Sequence, residues 1–407
     1  MRKQVDEIVN KLITKVNPYN SVFELLDVDS FSYEDNLIVV SIGKASWTMA
    51  KAASDKLKDR IKQGVVITKY NHSKGEIDNF KIFEAGHPIV DENSIKATEY
   101  VLNITANLKE SDKVLFLVSG GGSALFEKPL IDLTTLQDIN NQLLKSGANI
   151  NEINMIRKKL SAVKGGKFAK HVYPAYIDTY ILSDVIGNDL SSIASGPQAI
   201  DKTSKEDIIN ILDIYQLNIN EDIKKLLLVD SVTDIDNVNN TFVSSVEQLC
   251  EETKIILESL GYKTKIVESN YTGEAKDLGE VLGRKALEFQ TTTESLAFIY
   301  GGEAVVKVKG NGLGGRNQEL ALASAKYLKD CNNTCVFAFG SDGTDGPTDA
   351  AGGYVDCDTY SKIRNIDEYL DNNDAYHALS ISNGLLMTGP TGSNVNDIYV
   401  LMIKRSE

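Results

Sequence analysis

The chain has 407 residues, 42% hydrophobic and 25% charged, with a formal net charge of −14; this length exceeds the roughly 250 to 300 residues that one core fills, so two domains are expected. The negative total opposes the phosphate contacts that supply most nucleic-acid affinity, and no run of Lys and Arg offsets it, which argues against a nucleic-acid partner. No segment approaches the roughly 20 apolar residues of a membrane span and the N-terminus lacks a signal-peptide core, so the expectation is a cytoplasmic protein with no membrane partner.

The apolar residues Val5, Ile8, Val9, Leu12, Ile13 and Val16 recur at helical spacing and open the chain with an amphipathic helix. An apolar run at 37–42 then ends in Gly43-Lys44-Ala45 and passes into a helical pattern through Met49, Ala50, Ala53 and Leu57. The alternation continues with strands at 64–68 and 81–84, a helix at 92–108, a strand at 114–118 and a helix at 133–146. A long helical stretch at 151–171, a strand at 176–182 and two helices within 203–227 complete this region. Strands alternating with helices imply a mostly parallel, helix-covered sheet.

The Asp- and Asn-rich stretch 229–241 reads as a linker, which divides the chain near residue 235 into domains 1–235 and 236–407. Beyond it come a strand at 241–245, a helix at 247–260, a strand at 263–268, a helix at 274–290 and a strand pair across 295–309. From Ala304 to Lys309 apolar and charged residues alternate, as on a half-exposed edge strand, so a mixed second sheet is expected.

Four cysteines form no C-x-x-C pair, and four scattered histidines offer little to a zinc site. Chemistry is more legible in the loops that end strands. Ser119-Gly120-Gly121-Gly122-Ser123 follows the run 114–118, and its glycines let backbone N–H groups approach a phosphate while the serines add donors. A merely tight turn is the competing reading. No G-x-x-x-x-G-K-[ST] occurs, which excludes a Walker loop. Lys44 opens a helix directly after a strand, where a cation can hold a phosphate; a solvated lysine is equally compatible.

Asp184 and Asp189 stand five positions apart in the loop after the strand at 176–182, and such a pair suits Mg²⁺ or hydroxyl activation, although Asp189 could simply cap a helix. Gly310, Gly312 and Gly315 fit G-x-G-x-x-G before a helix that starts with Arg316, which raises a nicotinamide-binding reading. The charged Lys307 and Lys309 in the preceding segment weigh against it, because a dinucleotide-binding first strand is apolar on both faces. Asp342, Thr344 and Asp345 lie in a third strand-end loop, and Asn394 in a small polar loop at 388–397, both suited to a ligand rim. The absence of G-x-S-x-G leaves serine-hydrolase chemistry without support.

Taken in order, Ser119 to Ala124, Gly314 to Glu319, Ser341 to Gly352 and Gly389 to Asp397 resemble the MOFRL-containing glycerate 2-kinases over nearly the whole chain. The resemblance implies an α/β fold with a Rossmann-like doubly wound parallel domain, a smaller α/β domain with a mixed sheet, and an active site in the cleft between them. It further implies ATP-dependent, Mg²⁺-assisted phosphorylation of glycerate at the 2-hydroxyl; some relatives carry the name hydroxypyruvate reductase, and a homodimer is compatible. Departures are Val90 in Gly86-His87-Pro88-Ile89-Val90-Asp91 where Pro is usual, Asn188 where Asp is common, and Lys159 where His is frequent.

On this reading Lys44, Asp184, Asp189 and Arg316 are the catalytic set. Lys44 and Arg316 stabilise the phosphoryl group or the glycerate carboxylate, and Asp189 orients or deprotonates the hydroxyl. Asp184 holds Mg²⁺ or a loop, although the two acids could exchange roles or share the metal. Ser119, Gly120, Gly121, Gly122, Ser123, Asp342, Thr344, Asp345 and Asn394 are expected around ATP. The alternatives are an NAD(P)H-dependent hydroxypyruvate reductase and a non-catalytic sugar-phosphate sensor.

Overall fold

The computed structural model describes residues 1–405. The chain divides into two compact units, Ser21–Val243 and Met1–Asn20 together with Ser244–Glu407. The strand after the expected linker closes the first unit's sheet, which moves the division from 235 to 243. The N-terminal helix Arg2–Lys15 belongs with the C-terminal half: Arg2 donates to the carbonyls of Asn383 and Leu385 (2.7 and 2.8 Å), and Ser393 Oγ donates to the Val16 carbonyl (2.8 Å).

In the unit Ser21–Val243, β1 (Leu37–Ile42), β2 (Ile61–Lys69), β3 (Phe80–Ala85), β4 (Lys113–Val118), β5 (Tyr176–Leu182) and β6 (Val238–Ser244) form one sheet in the order β3-β2-β1-β4-β5-β6. Every pairing from β3 to β5 is parallel. All six residues of β1 are buried, because helices cover both faces of a parallel sheet and leave no side for polar residues. Phe116 of β4 packs on Phe168 with ring centroids 5.1 Å apart, within a core that includes Val40, Ile42 and Val65. This is the doubly wound order, and its direction reverses between β1 and β4, so the loops leaving those two strands flank the crevice where such sheets bind ligands.

The expected helix 151–171 is two helices, Ile150–Lys159 and Lys167–Val172. Gly165 and Gly166, at φ +59° and +80°, separate them, since a left-handed pair cannot continue an α-helix.

In the other unit, β7 (Lys263–Tyr271), β8 (Leu296–Gly302), β9 (Thr334–Gly340), β10 (Gly352–Asp356), β11 (Leu385–Leu386) and β12 (Asp397–Ile403) pair in the order β11-β10-β9-β12-β8-β7. The sheet is mixed, though not through the segment that suggested it. Ala304–Lys309 is no strand and contributes one isolated bridge, from Val305 to Glu274. Mixing arises because β7 runs parallel to β8, whereas β12 pairs antiparallel with both β8 and β9, and β10 antiparallel with both β9 and β11. The helix Arg316–Leu328 is buried from Asn317 through Ala325, so its first turn carries polar side chains into the interior, where each needs a partner.

Candidate active site

In the first unit, the loops leaving β1 and β4 are fastened together. The Lys44 N–H donates to the Gly120 carbonyl (2.8 Å), and Ser119 Oγ accepts the Ala45 N–H (3.1 Å) while donating to the Ile42 carbonyl (3.2 Å). Ser119 is therefore a structural clip, not a free donor. Gly120 and Gly121 are constrained for different reasons. A Cβ on Gly120 would collide with the Asp184 carboxylate, whereas Gly121 has φ +89° and a Cβ there would stand 3.0 Å from the His87 ring and 3.1 Å from Lys44 Cγ. Lys44, His87, Gly120, Gly121 and Asp184 thus converge at the sheet's switch point. The N–H groups of Gly120, Gly121 and Gly122 meet no backbone acceptor among the described residues. Ser123 Oγ lies 3.0 Å from Ser195 Oγ.

His87 is a participant that the sequence reading leaves out, although Gly86-His87 directly follows β3. Burial, with Lys44 and Lys69 nearby, lowers its pKa and keeps the ring neutral near pH 7.

Asp189 is tied into its own loop. Its carboxylate accepts the Ser191 N–H (3.1 Å) and the Ser191 and Ser192 hydroxyls (2.8 and 2.6 Å). Burial pushes its pKa up, but the Ser192 and Ser191 bonds outweigh this and lower it, so the group is ionised at neutral pH. Asp184, by contrast, is turned to the glycine loop, so the two acids face different surroundings. Among the described residues no group of three His, Cys, Asp or Glu could hold a metal.

In the other unit Arg316 is clamped. Nε and Nη2 donate to Asp397, the latter at 3.1 Å, and Nη1 donates to Glu303 Oε1 at 3.0 Å. These bonds use three of a guanidinium's five N–H donors. The side chain keeps 33% of its surface exposed while Asp397 keeps 2%, so the arginine is the open end of a buried pair. Burial opposes its charge, yet the Asp397 bond and the nearby Glu303 raise its pKa, and it stays protonated. Tyr399 Oη donates to Asp397 (3.2 Å) and accepts the Ala304 N–H (2.9 Å), completing the carboxylate's support. Glu303 directly follows β8 and Asp397 begins β12, so the antiparallel pairing of those two strands brings together acids that no local spacing connects.

The glycine loop before Arg316 is closed by its neighbours. The N–H groups of Lys309 and Gly310 go to Asn373 Oδ1 (2.7 and 3.0 Å), that of Asn311 to Asn372 Oδ1 (3.1 Å), that of Gly312 to the Asn372 carbonyl (2.9 Å) and that of Leu313 to Asp374 Oδ1 (2.9 Å). A Cβ on Gly312 would run into Asp374. These amides cannot also cradle a pyrophosphate, which removes the dinucleotide reading of this segment.

Asp345 proves to be a helix cap. It is buried and accepts the N–H groups of Asn317 (3.1 Å) and Gln318 (2.8 Å), so its carboxylate is spent on the helix and not on a nucleotide. Asp342 Oδ1 accepts the N–H of the exposed Thr344 (2.9 Å), and Asn394 Oδ1 accepts the N–H of Asn396 (3.3 Å).

Residues 4–228 match a domain of unknown function, DUF4147, and residues 296–397 match the MOFRL family. A D-glycerate 2-kinase from Thermotoga maritima is 45% identical over 413 residues, covering 99% of this chain and 98% of its own. A glycerate 2-kinase from Pyrococcus horikoshii is 38% identical, with 97% and 96% covered. The crystal structure of glycerate kinase from Thermotoga maritima superposes with a TM-score of 0.94 at 44% identity, covering 99% of both chains. With likeness of this degree over the full length in both sequence and fold, the chain belongs to the MOFRL-containing glycerate 2-kinase family.

Proposed function

We propose that this chain transfers the terminal phosphoryl group of ATP to the 2-hydroxyl of glycerate, giving 2-phosphoglycerate and ADP. The observation that carries the reading is the open glycine loop at the β1/β4 switch point, with Lys44 and Asp184 against it, in a chain 45% identical over its length to a D-glycerate 2-kinase. Phosphoryl transfer asks mainly for positioning and charge neutralisation. The amides of Gly120 to Gly122 supply donors for phosphate oxygens, and Lys44 supplies a cation beside them.

A single carboxylate next to a phosphate loop fits Mg²⁺, which is usually bound by one or two carboxylates together with substrate phosphates. Asp184 would hold it, and the ion would neutralise charge on the phosphates. Asp189 is assigned to the substrate hydroxyl; ionised and fixed by Ser191 and Ser192, it orients the O–H as an acceptor. Arg316 is assigned to an anionic group of phosphoryl donor or acceptor, with Glu303 and Asp397 fixing its direction. Asp342, Thr344 and Asn394 stay assigned to the nucleotide, and Asp345 does not.

Incubation with ATP, Mg²⁺ and D-glycerate, followed by ³¹P NMR resolving 2-phosphoglycerate from 3-phosphoglycerate, tests donor, acceptor and position together. The expected product is 2-phosphoglycerate. Consumption of NAD(P)H with hydroxypyruvate in the absence of ATP would instead establish the reductase.

A further inference from the structure

Against the chain's acidity, one part of the first unit gathers cations: Arg157, Lys158, Lys159, Lys164 and Lys167, with the acids Glu127 and Asp201 among them. Four of the five have clear structural employment. Lys164 pairs with Glu127, Arg157 Nε donates to Asn140 Oδ1 (2.8 Å), Lys159 donates to the Val229 carbonyl (2.6 Å) and Ser231 Oγ (2.8 Å), and Lys167 donates to the carbonyls of Lys158 (2.9 Å) and Ser161 (2.6 Å).

Lys158 differs. Its side chain is 8% exposed, and its ammonium stands 3.6 Å from Asp201, beyond hydrogen-bond distance. Asp201 is already engaged with the N–H and hydroxyl of Thr203 (3.2 and 2.7 Å) and with Ser231 Oγ (3.1 Å). An ammonium carries three donors, and those of Lys158 are left for whatever occupies the space it borders.

Lys158 lines a cleft of about 270 Å³ together with Asn151, Asn154, Asp189, Ser191 and Ser192. Asn151, Asn154 and Lys158 share one helix face through their three- and four-residue spacing. The volume is small beside the roughly 300 to 1,000 Å³ of drug-sized sites, and suits a compact acid. Asp189 connects this cleft to the glycine loop, because Asp184, five residues earlier, lies against Gly120. Five residues span at most about 18 Å.

We propose that this cleft binds the carboxylate of a small 2-hydroxy acid on Lys158, with Asn154 and Asp189 meeting its hydroxyl groups. The assignment rests on the kinase reading, in which that acid is the phosphoryl acceptor. A single carboxylate fits better than a phosphate here: the lining sets the cations Lys158 and Lys202 against the carboxylates Asp189 and Asp201, a balance that suits a monoanion better than a dianion, and Asp189 can accept an O–H from a hydroxy acid.

The test is isothermal titration of the full-length protein with D-glycerate, inorganic phosphate and ADP, for wild type, Lys158→Met, Lys158→Arg and Asn154→Ala, alongside KM and kcat. Lys158→Met should weaken D-glycerate binding and raise its KM on the order of 100-fold, and Asn154→Ala on the order of tenfold. Lys158→Arg should recover part of the loss, and ADP affinity should stay within about twofold throughout. Unchanged D-glycerate affinity in a folded Lys158→Met protein, or a loss that falls on ADP or phosphate instead, overturns the assignment. If Lys158→Met does not fold, Asn154→Ala decides: a tenfold loss supports the site and wild-type affinity overturns it. Titration without nucleotide keeps the two readings apart. Lys158-dependent D-glycerate binding without any phosphorylation would sink the kinase and leave the carboxylate site standing.

Discussion

Two glycine-rich loops look alike in composition and differ in what their backbone amides are doing. In the loop Ser119–Ser123 the amides of Gly120 to Gly122 have no backbone acceptor among the described residues, and the glycines make room for Asp184, His87 and Lys44. In the segment 310–315 the glycines make room for a neighbouring turn, and Asn372, Asn373 and Asp374 take the amides from Lys309 to Leu313. A phosphate needs donors that are both close and unspent. Glycine content reports only the closeness.

If this difference is functional, removing the cation at the open loop should have the greatest effect. Lys44→Ala is expected to lower kcat/KM for glycerate phosphorylation on the order of 1,000-fold, about 4 kcal/mol of transition-state stabilisation. Among the described residues the Lys44 side chain makes no ion pair or hydrogen bond, so thermal unfolding should be nearly unaltered. Wild-type steady-state kinetics from Lys44→Ala would remove the open loop from the reaction.

Next comes the residue that follows the closed loop. Arg316→Met leaves Asp397 buried without its partner, which should cost about 3 to 5 kcal/mol in urea unfolding as well as activity. Adding Asp397→Asn should restore much of the stability and none of the activity. Recovery of both would mean that Arg316 serves only the fold.

The closed loop itself is probed by Gly312→Ala. Its Cβ would press on Asp374, so a loss of about 1 to 3 kcal/mol in stability is expected, with KM for ATP and glycerate unchanged. A tenfold rise in KM for ATP in the folded variant would show that this loop does meet the nucleotide.

The architecture is legible in the sequence because apolar period and strand-end glycines are local signals. β5 falls on the strand expected at 176–182, and the alternation around it implies a parallel sheet. The sheet order, which locates the switch point between β1 and β4, rests on pairings between distant segments and cannot be read in that way. The same limit applies to the side chains. Lys44 and the glycines at 120–122 stand out because each sits at a strand end. Lys158 does not, because a lysine on a helix is ordinarily solvated, and only tertiary burial separates it from the others. Residues 304–309 read as a strand because alternation is what β-structure produces, but the described chain pairs there only at Val305.

Asp345 shows how a carboxylate next to a glycine loop can be structural, and its titration offers the smallest and most specific test. Burial raises its pKa from 3.8 to about 6, against the pull of the Gln318 and Asn317 N–H groups. The folded protein therefore binds this proton more tightly than the unfolded chain, and the group's contribution to stability falls as pH rises from about 4 to about 6, then stays level. In Asp345→Asn that component is absent, so the difference in Tm between wild type and variant should drift by a few degrees across this window and be flat above it. Nucleotide KM should show no matching change. A carboxylate that instead contacted ATP would make KM for ATP, and not Tm, the quantity that responds to Asp345→Asn, and would place the closed loop back among the binding elements.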